Sequence, residues 1–309
     1  MKAFLFPGQG AQTLQMSAEI TAAYPASLSL YKEALKITGV DLMNLTEEQL
    51  SQTRYTQLAI IVHSIASLEK ERDGSDPFRE SAAGTGTDSS AAGVSSLISS
   101  GPIGLAGFSL GEYTALFAAG IIDFDGLLSL VNERARLMQL AADKSPGAMY
   151  AILGLADEHV EACLSKIKDV YPVNYNCPGQ LVIAGTQETA EKAAAELLAL
   201  GARRAMKLAV NGAFHSPFME EAAAGLKEFA QTIRFSPIAA ASKGALYSNA
   251  TAAPLSADID IPSYLETHMI SPVRFTDEIR RMRLDGYDEF IELGPGKVLT
   301  GLVKKILSK

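Results

Sequence analysis

Cysteine and histidine are scarce in this chain. Cys163 and Cys177 are the only cysteines in 309 residues, too few for a disulfide framework, and the four histidines form no His/Cys cluster with zinc-ligand spacing. Long apolar runs are missing as well. None reaches the ~20 residues that a membrane-spanning helix needs, and the apolar stretch in the opening MKAFLFPGQG is too short for a signal peptide. An excess of positive charge is also lacking: 27 Lys and Arg stand against 35 Asp and Glu, a net charge of −8, which argues against nonspecific binding to nucleic acid or an anionic membrane. These absences describe a cytoplasmic, reduced, metal-free protein. What is present is ordinary soluble composition, 48% hydrophobic and 20% charged. The length is about twice the ~150-residue domain prior, which suits one large domain or a main domain carrying a smaller insertion.

The pattern along the chain is α/β. Lys2 to Phe6 is an apolar run closed by Pro7-Gly8-Gln9-Gly10, a buried strand ending in a turn. The spacing of Leu58, Ile61, Val62, Ile65 and Leu68 predicts an amphipathic helix between Gln57 and Lys70. Ser81 to Gly101 contains seven Ser, four Ala and four Gly among 21 residues and reads as a flexible insertion loop. Ile103 to Phe108 resumes as a strand, followed by a helix to about Ala119 and another starting near Asp123 or Asp125. Between about Ser145 and Val210 the expected order is β-α-β-β-α-β: strand Ala148–Leu153, helix Asp157–Lys168, strands Tyr171–Tyr175 and Leu181–Ala184, helix Thr189–Leu200, strand Ala205–Val210. That is the ferredoxin-like arrangement, a module set inside a larger α/β domain. The expected division is a discontinuous core of residues 1–144 and 211–309 with residues 145–210 inserted.

Gly107-Phe108-Ser109-Leu110-Gly111 satisfies G-x-S-x-G between an expected strand and helix, the context of a nucleophile elbow. A serine hydroxyl needs a base to take its proton. Of the four histidines, His63 falls within an apolar helix, His159 in the first turn of a module helix, and His268 has no turn context. His215 fits best: it follows strand Ala205–Val210 by a short loop and precedes Ser216-Pro217, a helix start whose positive end would keep the imidazole neutral. No carboxylate is marked out as third member, and a main-chain carbonyl is the inferred partner of the His215 N–H.

Arg134 is a charge in an apolar stripe. It shares a helix face with Leu127, Val131 and Met138, while Arg136 points to the solvated side. A buried guanidinium needs an anionic partner, either a protein carboxylate such as Glu112 or the carboxylate of a substrate held by its planar fork. A nucleotide reading of the glycine-rich turns fails, since G-x-G-x-x-G requires glycine at Thr13, and G-x-x-x-x-G-K ahead of Lys297 requires it at Ile291.

The segments Phe6-Pro7-Gly8-Gln9-Gly10-Ala11-Gln12, Gly107-Phe108-Ser109-Leu110-Gly111-Glu112-Tyr113, Arg134, Gly212-Ala213-Phe214-His215 and Gly294-Pro295-Gly296-Lys297, in this order, resemble malonyl-CoA:acyl carrier protein transacylases nearly end to end. The resemblance implies a hydrolase-like core with a mainly parallel sheet and an inserted ferredoxin-like α+β subdomain. It implies a ping-pong reaction in which Ser109 takes malonyl from coenzyme A and passes it to the phosphopantetheine thiol of acyl carrier protein, with His215 as base and no cofactor beyond the thioester substrate. By matching position, the N–H groups of Gln9 and Leu110 form the oxyanion hole and Arg134 pairs with the malonyl carboxylate. Phe214 resembles the malonyl-selective version of its motif, whereas Phe108 stands where the family more usually has histidine. The alternatives are a serine thioesterase or esterase, an acyltransferase for another acyl group, and a carrier-protein scaffold without activity. Arg134 separates the first from the transacylase, because a general esterase has no use for a buried cation.

Overall fold

The computed structural model describes residues 1–74, 103–238 and 245–308. The expected insertion loop Ser81–Gly101 lies outside them. Apolar β1 (Lys2–Phe6) becomes the middle of a three-stranded parallel sheet, with β2 (Gly104–Gly107) on one side and β7 (Glu289–Glu292) on the other. Both faces are covered by helices, as a parallel sheet requires. Ala3 and Leu5 of β1 pack on Phe275, Ile279, Leu299 and Leu302 from near the C-terminus, and Phe4 and Phe6 face the larger core on the other side. In chain order the helices before the second sheet are α1 (Met16–Ala23), α2 (Leu28–Thr38), α3 (Glu47–Leu50), α4 (Thr53–Gly74), α5 (Gly111–Ala118) and α6 (Phe124–Lys144). Asp123 caps α6 by accepting from Gly126 N at 2.8 Å, which settles the choice between the two candidate starts.

Helix α4 departs from expectation. Its apolar spacing suggested one buried stripe, yet every residue from Thr56 to Ala66 is buried, Gln57, His63 and Ser64 among them. Such a helix runs through the core rather than along its surface, and polar side chains on it face other protein groups instead of water.

The second sheet comes wholly from the middle of the chain: β3 (Gly147–Leu153), α7 (Asp157–Leu164), β4 (Val170–Cys177), β5 (Gln180–Thr186), α8 (Gln187–Ala199) and β6 (Arg204–Lys207). Its order is β4-β5-β3-β6, antiparallel throughout. Period-2 alternation gives it two faces. Ile152, Leu181 and Ile183 pack with Val160 and Leu197 of α7 and α8, whereas Met149, Ala151, Val182 and Ala184 join the main core. Two bounds are shorter than expected. Helix α7 ends at Leu164, and β6 stops at Lys207, after which Val210 N turns back to bond Leu208 O at 2.9 Å. The remaining helices are α9 (Glu220–Ala230), α10 (Ile261–Ile270), α11 (Phe275–Leu284) and α12 (Val298–Leu307).

Two strand-like segments close the gaps. Residues 245–247 run beside β2, with Leu105 N bonding Ala245 O at 2.9 Å and Tyr247 N bonding Leu105 O at 2.8 Å. Val273 reaches the antiparallel sheet, its N donating to Val173 O at 2.8 Å and its O accepting from Tyr175 N at 2.9 Å.

Candidate active site

Ser109 stands at the carboxyl end of β2 with φ of +50°, a left-handed conformation that costs a serine about 1–2 kcal/mol. Glycine is required around it. A Cβ on Gly111 would lie 1.8 Å from Phe6 O, and one on Gly107 would lie 2.0 Å from Glu112 N. On the facing loop, a Cβ on Gly8 would lie 2.3 Å from Phe108 O, so the turn carrying Gln9 runs directly against the elbow. Among the described residues the N–H groups of Gln9 and Leu110 meet no acceptor, and Leu110 is the N-cap of α5. Free N–H groups at the start of a helix suit a developing oxyanion.

His215 Nε2 lies 2.6 Å from Ser109 Oγ, and Nδ1 lies 3.0 Å from Ser271 O. A carbonyl can only accept, so Nδ1 carries the proton and Nε2 presents its lone pair to the hydroxyl. The third position is therefore filled by a main-chain carbonyl. The cause of the neutral ring differs from the expected helix end: burial, and then the Arg134 charge, lower the imidazole pKa to about 4. A short 3-10 turn, Pro217–Met219, stands between His215 and α9.

Arg134 is 2% exposed on α6. Its Nη1 donates to Gln57 Oε1 at 2.7 Å, its Nη2 to Ser109 Oγ at 3.3 Å, and its guanidinium carbon lies 5.0 Å from the centre of the Tyr113 ring. Its Nε has no partner, and among the described residues no carboxylate pairs with it. Glu112, the protein partner considered for it, is engaged elsewhere, accepting from the Tyr264 hydroxyl and from Asn249 N at 2.8 Å. Arg136 is 55% exposed and paired with Glu133, as the opposite face predicts.

Sequence reasoning missed Gln57 and Asn249. Asn249 is 1% exposed and its amide is fully used: Oδ1 accepts from Ser109 N at 2.6 Å, while Nδ2 donates to Gly107 O at 2.6 Å and to Glu278 Oε2 at 2.7 Å. Around it lie two buried carboxyls. Burial raises Glu112 to about 7 and Glu278 well above the carboxylate range. Neither Gln57 nor Asn249 has a local signature, because a polar group buried by distant segments follows no sequence period. The one available hint for Asn249 was its place just after the apolar pair Leu246-Tyr247.

The other expected residues fall on the rim or apart. Phe108 packs edge-on against Phe275 at 5.4 Å, and Phe214 is buried with its ring over Gly212. His268 is buried perpendicular to His215, ring centres 5.8 Å apart, with both ring nitrogens unbonded. His63 stays in α4 beside Ser67, and His159 in α7. Among the described residues no group of His, Cys, Asp and Glu could hold a metal, and no helix is long and apolar enough to cross a membrane.

Residues 91–309 match the family model described as Acyl transferase domain. A malonyl CoA-acyl carrier protein transacylase of Bacillus subtilis is 38% identical, covering 98% of this chain and 90% of the relative. Among solved structures, a malonyl-transacylase in complex with its type II PKS acyl-carrier protein superposes with a TM-score of 0.85 at 34% identity, covering 99% of this chain and 93% of that one. The transacylase of Streptococcus pneumoniae gives 0.84 at 36%, with 99% and 93% covered. With an acyl transferase profile over most of its length and relatives matched from end to end, the chain belongs to the malonyl CoA-acyl carrier protein transacylase family.

Proposed function

We propose that Ser109 accepts malonyl from malonyl-CoA and hands it to the phosphopantetheine thiol of an acyl carrier protein. The observation that carries this reading is Arg134, a buried guanidinium with no protein carboxylate, whose fork reaches within 3.3 Å of the serine oxygen. A thioester substrate ending in a carboxylate supplies the missing anion and places its carbonyl at Ser109. Neutral His215 takes the hydroxyl proton as Oγ attacks, and the oxyanion falls to the N–H groups of Leu110 and Gln9. The imidazolium then protonates the departing coenzyme A sulfur, leaving malonyl-Ser109. The carrier thiol reverses these steps, giving its proton to His215 and taking the acyl group. The reading requires no metal or cofactor, and it places the chain in the cytoplasm and in fatty-acid or polyketide synthesis.

Phe214, next to His215 in the chain, is the residue we assign to excluding a 2-methyl branch, and Phe108 shapes the same entrance from the elbow. The order β4-β5-β3-β6 supports reading residues 145–210 as a ferredoxin-like insert. The parallel sheet, with strands from both sides of that insert, supports a hydrolase-like core of residues 1–144 and 211–309. Incubation with malonyl-CoA followed by intact mass measurement tests the function. A malonyl adduct should persist until a carrier thiol is added. Rapid loss of the adduct in water would mark a thioesterase instead, and binding of carrier protein with no adduct would mark a scaffold.

A further inference from the structure

We infer that Asn249 is a positioning residue that holds Ser109 in its reactive conformation and ties the elbow to the segment orienting His215. This rests on Ser109 being the nucleophile and goes beyond that reading by naming what keeps it in place.

A left-handed serine persists only where its surroundings over-determine it. The Asn249 side chain does so from both sides of the turn. Its oxygen takes the Ser109 N–H and its nitrogen gives a proton to the Gly107 carbonyl, so one amide spans the last residue of β2 and the nucleophile. The orientation of that amide is fixed chemically. Ser109 N–H can only donate and Gly107 O can only accept, so a flipped amide would lose both bonds. The second Nδ2 proton goes to Glu278 of α11, which stops the side chain from rotating away.

The main chain of the same residue extends the hold. Asn249 N donates to Glu112 Oε2 on α5, the helix that begins two residues after Ser109. Asn249 O accepts from Arg274 N at 2.9 Å. Three residues back from Arg274, Ser271 O holds His215 Nδ1. The route from nucleophile to base thus runs Ser109, Asn249, Arg274, Ser271, His215 in covalent and hydrogen-bonded steps, all at buried or half-buried residues apart from the exposed Arg274. Asn249 reaches this place because residues 245–247 run as an extra strand beside β2 and end level with the elbow. Nothing in its contacts touches the space in front of Ser109 Oγ, which marks it as acting through the serine rather than on substrate.

The test is single-turnover acylation of Asn249→Ala and Asn249→Ser by malonyl-CoA, read by quenched intact mass, beside labelling of Ser109 by a small fluorophosphonate. Serine at 249 keeps a hydroxyl for one of the freed groups and so preserves folding if alanine does not. Misplacement by about 1 Å costs on the order of 10²-fold, so both the acylation and the labelling rate constants should fall about 100-fold while KM for malonyl-CoA stays within about threefold. A merely structural role predicts lower thermal stability with normal rates in the folded fraction. Either folded variant reacting within about threefold of wild type would overturn the inference. Wild type that takes the fluorophosphonate but no malonyl would count against the proposed function alone, and the labelling rates would still decide the role of Asn249.

Discussion

Replacing Arg134 by methionine removes the charge while keeping most of the side-chain volume. In the free protein the guanidinium makes two hydrogen bonds, to Gln57 and Ser109, and leaves Nε unbonded. Bidentate capture of a malonyl carboxylate adds two charge-assisted bonds in a site screened from water, each worth about 1.5–3 kcal/mol. Taking the lower figure for both gives about 3 kcal/mol, or on the order of 10² in kcat/KM for malonyl-CoA. Acetyl-CoA has no carboxylate and should change by less than about threefold. The comparison belongs at pH 8, because Arg134 is the second cause of the low His215 pKa and its removal raises that pKa. At pH 8 the imidazole is neutral in both proteins. Stability should not follow. Replacing buried ionic groups by apolar side chains of similar volume is often neutral or stabilising by about 1–4 kcal/mol, while leaving Gln57 Oε1 without its donor costs about 1–3 kcal/mol, so the thermal midpoint of Arg134→Met should change little. The assay is the ratio of kcat/KM for malonyl-CoA over acetyl-CoA in the two proteins. An unchanged ratio refutes the assignment of that charge to substrate.

Ser109→Ala should form no malonyl adduct by intact mass, and an adduct retained elsewhere on the chain would remove the nucleophile from this site. The pH profile of kcat/KM should show an acid limb centred near 4 instead of the 6.5 of an ordinary imidazole, and a limb at 6.5 would contradict the argument from burial. The same shift predicts a stability difference. Folded His215 stays neutral down to about 4 while the unfolded ring takes its proton near 6.5. Relative to His215→Asn, wild type should therefore lose about 3 kcal/mol between those values as pH falls, measured by urea denaturation. Gly111→Ala places a Cβ 1.8 Å from Phe6 O and 3.0 Å from Pro7 O, both backbone, so β1 and α5 must separate. Its expected signature is a lower thermal midpoint together with loss of acylation; normal behaviour in both would show that the close approach is dispensable.

Much of this site was legible because its chemistry coincides with local pattern. The elbow announces itself as glycines around a serine between strand and helix, His215 by its Ser-Pro helix start, and Arg134 by breaking an apolar stripe. The module order was equally legible, since period-2 strands and period-3.6 helices alternate at short range. What escaped was what distant segments impose. Helix α4 looked amphipathic because its apolar spacing is helical, yet Gln57 on it is buried by α6 and serves Arg134. Asn249 sits in a stretch whose strand character exists only through pairing with β2. The source of the low His215 pKa could not be read either, because Arg134 approaches it from another part of the chain.

The short ladder at Val273 has a consequence for motion. It is one of the main-chain ties between the antiparallel sheet and the rest of the molecule, and it lies two residues from the carbonyl that holds the His215 ring. Any widening between the two sheets that pulls on β4 also pulls Ser271 O away from Nδ1. Displacing β4 and losing the Nδ1 bond are then one event, and with the ladder intact the base stands in register, Nε2 2.6 Å from Ser109 Oγ, before any substrate binds.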